Sequence, residues 1–155
     1  MTLEELEKRI KVLEDIEEIK QLQRNYVNWV NIRQMDDIYG CFAENAIADI
    51  RNYGPRIGKD EIIKLFRGTI ENIQVIPGTI TPKGGHIVLQ PVITVYGNRA
   101  KGHWDMGRIF SDLTTPGWPT LKMTTGRHDC AYIREDGKWK FSYLKWTHPW
   151  PLDLP

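Results

Sequence analysis

The sequence is poor in the residues that mark several protein classes. Only two cysteines, Cys41 and Cys130, occur in 155 residues, both in apolar surroundings and not as a CxxC pair. That points away from a disulfide framework and toward reduced, packed thiols in a cytoplasmic protein. No apolar run approaches the roughly 18 residues of a membrane span. The acidic start "MTLEELEKR" does not fit a secretory or transit peptide. Neither sign of charge is in excess: the formal net charge is +1, with acids and bases intermixed. A nucleic-acid binder would carry a basic stripe, whereas Lys8, Arg9 and Lys11 are interleaved with glutamates and read as a solvated helix face. The four histidines are scattered, with no HxH or HxxxH spacing, so no metal site is expected. "PKGGH" leads into a strand and not a helix, which argues against a phosphate loop. Ser111 and Ser142 sit in no nucleophile motif.

Tryptophan, by contrast, is plentiful: Trp29, Trp104, Trp118, Trp139, Trp146 and Trp150 accompany six tyrosines. Two readings stand side by side, core filling and the walls of a pocket for a flat, hydrophobic small molecule. The length suits one domain, residues 1–155, burying roughly two thirds of its unfolded surface.

Thr2 followed by Glu5 resembles a capping box. Leu3, Leu6, Ile10, Leu13, Ile16, Ile19, Leu22, Tyr26 and Trp29 recur at three- and four-residue steps. They predict one long amphipathic helix to about residue 32, or two in series with a break near Asp15. "MDDIYGCFAEN" reads as a short second helix and "AIADIRNYG" as a short strand. "EIIKLFRGTIENI" reads as a third helix with Asp60 as its cap. Residues 84–96 form a strand whose Pro91 requires a bulge or an edge position. Gly97-Asn98 turns into a strand over 99–112. "TTPGWPT" is a loop, residues 121–134 a third long strand, Asp136-Gly137 a tight hairpin turn and 138–147 a fourth strand. The tail 148–155 is too rich in proline to continue regular structure. Helices followed by an antiparallel meander predict an α+β fold with helices covering one face of a sheet.

Four stretches, "YGCFAENAIADI", "GKDEII", "GGHIVLQPVITVYGNRAKG" and "REDGKWKFSYLKW", carry a resemblance. The sequence resembles the SnoaL-like family of the nuclear transport factor 2-like superfamily, over roughly residues 15–148. The resemblance implies a cone-shaped fold with N-terminal helices packed in the concave face of a curved antiparallel sheet, around an internal cavity. Members include scytalone dehydratase, bile acid dehydratase, polyketide cyclases, a dehydrochlorinase and ketosteroid isomerase, while others only bind ligands or proteins. Fold alone therefore does not give function.

Alternation on the strand "AKGHWDMGRIF" puts Gly102, Trp104, Met106 and Arg108 on one face and His103, Asp105 and Gly107 on the other. The resemblance implies that the Trp104 position faces the cavity, so Arg108 does too. A β-bulge would reverse this, which keeps Asp105 in reserve. His86 matches the family histidine that serves as catalytic base or acid; a strand-start histidine bonded to a loop carbonyl is the bland alternative. Tyr26 aligns with a catalytic tyrosine of the bile acid dehydratase. Asn31 stands where the related lyases carry the aspartate that pairs with the histidine, and an amide can only orient by hydrogen bonds. Arg108 stands where the bile acid dehydratase has an aspartate. His128 falls near another cavity position.

The expected function is a cofactor-independent lyase or isomerase acting on a hydrophobic cyclic or aromatic small molecule. His86, Tyr26, Asn31, Arg108 and His128 would be catalytic, with Tyr26 and Asn31 bonding a substrate oxygen. Trp29, Tyr53, Trp104 and Met106 would bind substrate. The alternatives are a non-enzymatic binding or dimerisation module, or a non-catalytic oxygenase subunit. A homodimer through the outer sheet face, near His103, Asp105, Ile87 and Leu89, is expected because apolar residues occupy both faces.

Overall fold

A computed structural model describes residues 1–50, 53–71, 85–112 and 120–148. The Thr2–Glu5 capping box forms in both directions, with Glu5 N–H donating to the Thr2 hydroxyl and Thr2 N–H to the Glu5 carboxylate. It starts α1 (Leu3–Ile32), which runs on without a break at Asp15 and ends where Arg33 turns left-handed. Only the part beyond residue 14 docks. Residues 1–14 are exposed, and Asp15, Ile19, Gln23, Tyr26 and Val27 are the helix's buried residues. The anchor is Asp15, which accepts hydrogen bonds from Lys11, from the Trp139 indole at 3.2 Å and from Arg134.

The short α2 (Met35–Gly40) ends earlier than "MDDIYGCFAEN" predicts. From Phe42 the burial alternates in part, with Phe42, Ala43, Ala46 and Ala48 in the core, and the segment becomes β1 (Phe42–Asp49). After β2 (Pro55–Ile57), α3 (Lys59–Phe66) begins at Gly58, not at Asp60. Asp60 lies in the first turn and makes no cap, though its charge still suits the positive helix end. A π-helical turn, Arg67–Glu71, follows. The last residues of "EIIKLFRGTIENI", the loop 113–119 and the proline-rich tail 149–155 lie outside the described residues.

Four strands complete a six-stranded curved sheet: β3 (His86–Tyr96), β4 (Arg99–Asp112), β5 (Thr120–Glu135) and β6 (Lys138–Thr147). The order is β2-β1-β6-β5-β4-β3. The meander is antiparallel as predicted, while β1 joins β6 in parallel, so the sheet is mixed. Pro91 has both features its position requires. It sits on the edge strand and within a bulge between Leu89 and Val92, where Gln90 takes a φ of 49°. Asp136 and Gly137 both have positive φ, as a two-residue hairpin turn needs.

The core lies where the docked half of α1 crosses the sheet. Tyr26 meets Phe141 edge-on at 5.2 Å and Phe42 at 5.9 Å, and Phe141 stacks against Tyr132 at 5.4 Å. Each such ring buries roughly 150–250 Å², enough to fix the helix across strands β1, β5 and β6.

Candidate functional site

The C-terminal turn of α1 and the first residue of β3 meet in three hydrogen bonds. Asn31 Nδ2 donates to the His86 carbonyl at 2.9 Å, and the His86 backbone N–H donates back to Asn31 Oδ1 at 3.0 Å. This pair fixes which way the amide points, because only Nδ2 can donate to a carbonyl. The oxygen left facing the ring lies 2.8 Å from His86 Nδ1. An acceptor there requires the proton on Nδ1, so neutral His86 carries its lone pair on Nε2. Asn31 thus orients His86 through both ends of its amide, with Oδ1 shared between the His86 backbone N–H and its ring and one Nδ2–H given to the His86 carbonyl.

His86 owes its position to its neighbour as well. Gly85 adopts a φ of +85°, and a Cβ there would overlap the Ile109 carbonyl. The tight approach lets Ile109 N–H reach the Gly85 carbonyl at 2.9 Å, closing β3 against β4.

Register then sorts the other candidates. Arg108 lies directly opposite His86, and Met106 opposite Val88. Directly opposed side chains on one face of a sheet stand roughly 4.5–5.5 Å apart at Cβ. Trp104 lies opposite His128, on the same face as Met106 and Arg108. The reserve residue Asp105 is on the other face, where it pairs with Arg127 at 3.1 Å, so no bulge in β4 turns it inward.

Tyr26 is 4% exposed, its ring 6.2 Å from that of His128. Burial pushes its phenol far above the ordinary value, with Cys41 and Cys130 adding to the shift, so the hydroxyl stays neutral. Trp104 and Met106 are core residues, 2% and 3% exposed. Trp29 is half-buried against the same core. Tyr53 is not brought into this group. It is 45% exposed in the β1–β2 connection, at the opposite edge of the sheet from β3.

One residue was missed in the sequence. Gln23 is fully buried, and its amide contacts His128 Nδ1 at 3.0 Å, the Tyr132 hydroxyl at 3.4 Å and Cys130 Sγ at 3.8 Å. Its signal was available, since Gln23 falls between Ile19 and Tyr26 on the apolar stripe of α1. A polar residue placed there must find partners.

Among the described residues, no cluster of three or more His, Cys, Asp or Glu is arranged to hold a metal ion, and no helix is long and apolar enough to cross a membrane.

The fold has counterparts among solved structures. A Mycobacterium tuberculosis protein of unknown function superposes with a TM-score of 0.71 at 17% identity, over 90% of this chain and 75% of its own. An NTF2-like protein with a cystatin-like fold from Novosphingobium aromaticivorans matches with a TM-score of 0.68 at 16% identity, over 96% of this chain and 90% of its own. A type 2 hexachlorocyclohexane dehydrochlorinase matches with a TM-score of 0.67 at 18% identity, over 89% and 87%. At these identities the likeness speaks to the fold alone. No curated protein matches the sequence significantly. The SnoaL-like domain model matches residues 11–145. That span takes in the docked part of α1, the Asn31–His86 clamp and the sheet up to the last two residues of β6, and the chain belongs to the SnoaL-like domain family.

Proposed function

We propose that the protein is a lyase or isomerase that removes a proton from a hydrophobic cyclic or aromatic small molecule, using its own side chains as base and donors. The observation that carries this reading is the three-bond clamp of Asn31 on His86. A histidine held by its Nδ1–H presents Nε2 as a general base. A positioned base is worth roughly a hundred- to ten-thousand-fold in rate.

In the proposed step, His86 Nε2 takes a proton from a carbon beside an electron-withdrawing oxygen. The bonding pair moves to form a double bond, and negative charge develops on the oxygen. Arg108, opposite His86 in register, stabilises that charge, and the neutral Tyr26 hydroxyl donates a hydrogen bond. Departure of a neighbouring hydroxyl or halide with its electron pair completes an elimination. Return of the proton at another carbon completes an isomerisation. Asn31 Oδ1 keeps its bond to Nδ1–H throughout and adds no charge to the imidazolium. This sets the site apart from a carboxylate–histidine pair.

The working form we propose is a homodimer through the outer sheet face. Ile87, Leu89, Val92, Ile109 and Met123 are exposed there, between 36% and 60%, and an apolar face of that kind favours a partner. A reducing, cytoplasmic setting suits the two free cysteines. Both are buried, and burial pushes each thiol up to about 12.

The test is a panel of hydroxylated and halogenated cyclic and aromatic compounds, followed by mass spectrometry. The proposal expects products that have lost water or hydrogen halide, or isomers of unchanged mass. Tight binding across the panel with no turnover would instead make the domain a binding module.

A further inference from the structure

Behind the proposed base runs a buried chain of hydrogen bonds whose direction is fixed at one end. The Trp104 indole N–H can only donate, so the Tyr132 hydroxyl accepts from it, at 3.0 Å. The Tyr132 hydrogen is then aimed at Gln23 Oε1, which lies 3.4 Å away and also takes the Cys130 thiol. With its oxygen held on that side, the Gln23 amide turns Nε2 toward His128 and donates to Nδ1 at 3.0 Å. A ring nitrogen that accepts carries no proton, so neutral His128 bears its N–H on Nε2. That atom lies on the side of the ring away from the Gln23 amide, and the ring is only 6% exposed.

We infer that Gln23 is a positioning residue that holds His128 as a neutral Nε2–H donor, beside the Tyr26 hydroxyl, for an uncharged oxygen of the substrate. The inference deepens the proposed reaction and rests on it for the identity of what is bound. Two amides then set two histidines in opposite tautomers. Asn31 makes His86 a base through Nε2, and Gln23 makes His128 a donor through Nε2. A neutral donor does not favour a substrate that is already anionic. It suits a carbonyl oxygen that gains charge only as the neighbouring carbon loses its proton, which narrows the substrate class to enolisable ketones and enones. Burial and the charge of His86 push His128 down to about 3, so the ring stays neutral in the working range. The titratable groups around this chain are Tyr26 on α1, Cys130 and Tyr132 on β5, and His86 on β3; burial raises the first three, which keeps them neutral as well.

Long-range proton–nitrogen NMR on the uniformly nitrogen-15-labelled full chain tests this, with His128 assigned through His128→Phe. The expected result is a protonated Nε2 and an unprotonated Nδ1, unchanged between about pH 5 and pH 8. Gln23→Glu places an acceptor against Nδ1 and should draw the proton there, inverting the tautomer or charging the ring. Gln23→Met, which keeps the length and apolar packing, should leave a mixture of tautomers. With an exchanging ketone in hand, Gln23→Met should lower kcat on the order of a hundred-fold with little change in KM. A protonated Nδ1 in the native protein, a titration inside that pH range, or an unchanged tautomer in both variants would overturn the inference. The NMR readout needs no turnover, so a failure of the proposed reaction would leave it standing, and the reverse.

Discussion

Replacing Asn31 by leucine removes the clamp while roughly keeping its volume. Three hydrogen bonds are lost, two to the His86 backbone and one to its ring, at 2.8 to 3.0 Å. Each is worth about 1 kcal/mol net, and the site is half-buried, so water replaces part of what is lost. The expected cost is about 2–3 kcal/mol, or roughly 4–12 °C in Tm for a domain of this size. Asn31→Asp is the internal control. It keeps both acceptor contacts but sets a carboxylate oxygen against the His86 carbonyl in place of the donated bond, at a cost of about 1 kcal/mol. Urea unfolding should therefore rank wild type above Asn31→Asp and Asn31→Asp above Asn31→Leu, with similar m-values. NMR should show the His86 proton leaving its exclusive place on Nδ1 in the leucine variant alone. A loss below about 0.5 kcal/mol for leucine, or a leucine variant more stable than the aspartate one, would refute the orientation argument.

Three further outcomes follow from other parts of the fold. Burial raises the Asp15 carboxyl, but hydrogen bonds from Lys11 and Trp139 and the charges of Arg134 and Lys11 outweigh it and hold the group below 3.8. A lowered folded value means the stabilisation is complete above about pH 4 and fades as pH falls through that value. Asp15→Asn should thus cost about 1–3 kcal/mol at neutral pH in a denaturation series, with the gap to wild type closing as the pH falls through the lowered folded value. Gly85→Ala would force a Cβ onto the Ile109 carbonyl and strain a positive φ, so it should cost more than about 1 kcal/mol and disturb the His86 amide signal in particular. Leu89→Lys, at a half-exposed outer-face position, should convert the proposed dimer into monomers by sedimentation without changing the circular dichroism spectrum, and a wild type that sediments as a monomer would refute the dimer.

The parts of the fold that local chemistry dictates were legible in the sequence. Thr2 and Glu5 announced the helix start, Asp136-Gly137 the hairpin, Pro91 the bulged edge, and the alternation Trp104-Met106-Arg108 the inner face of β4. What tertiary pairing decides was not legible. "CFAEN" carries helix-compatible residues, yet Phe42 is drawn into the sheet beside Phe141, so the predicted helix stops at Gly40. The apolar steps of α1 gave no sign that its first three turns or so would stay exposed and that Asp15 would be the first docked residue. In the site, residue types were readable but partners were not. Asn31 was identified, but its amide meets a backbone 55 residues away, a contact no local pattern encodes. Gln23 was passed over because its partners Cys130, Tyr132 and His128 come from a distant strand.

The central claim, that His86 acts as a base on a carbon acid, is tested most directly by solvent deuterium exchange. A panel of enolisable cyclic and aromatic ketones in deuterium oxide, followed by proton NMR, reads proton abstraction even where no leaving group is present. The account predicts catalysed exchange for at least one ketone, abolished by His86→Ala in a protein that stays folded. It also predicts a loss on the order of 3 kcal/mol in kcat/KM for Arg108→Ala, comparable to removing one oxyanion donor. Catalysed exchange that survives both substitutions at near wild-type rates would contradict it.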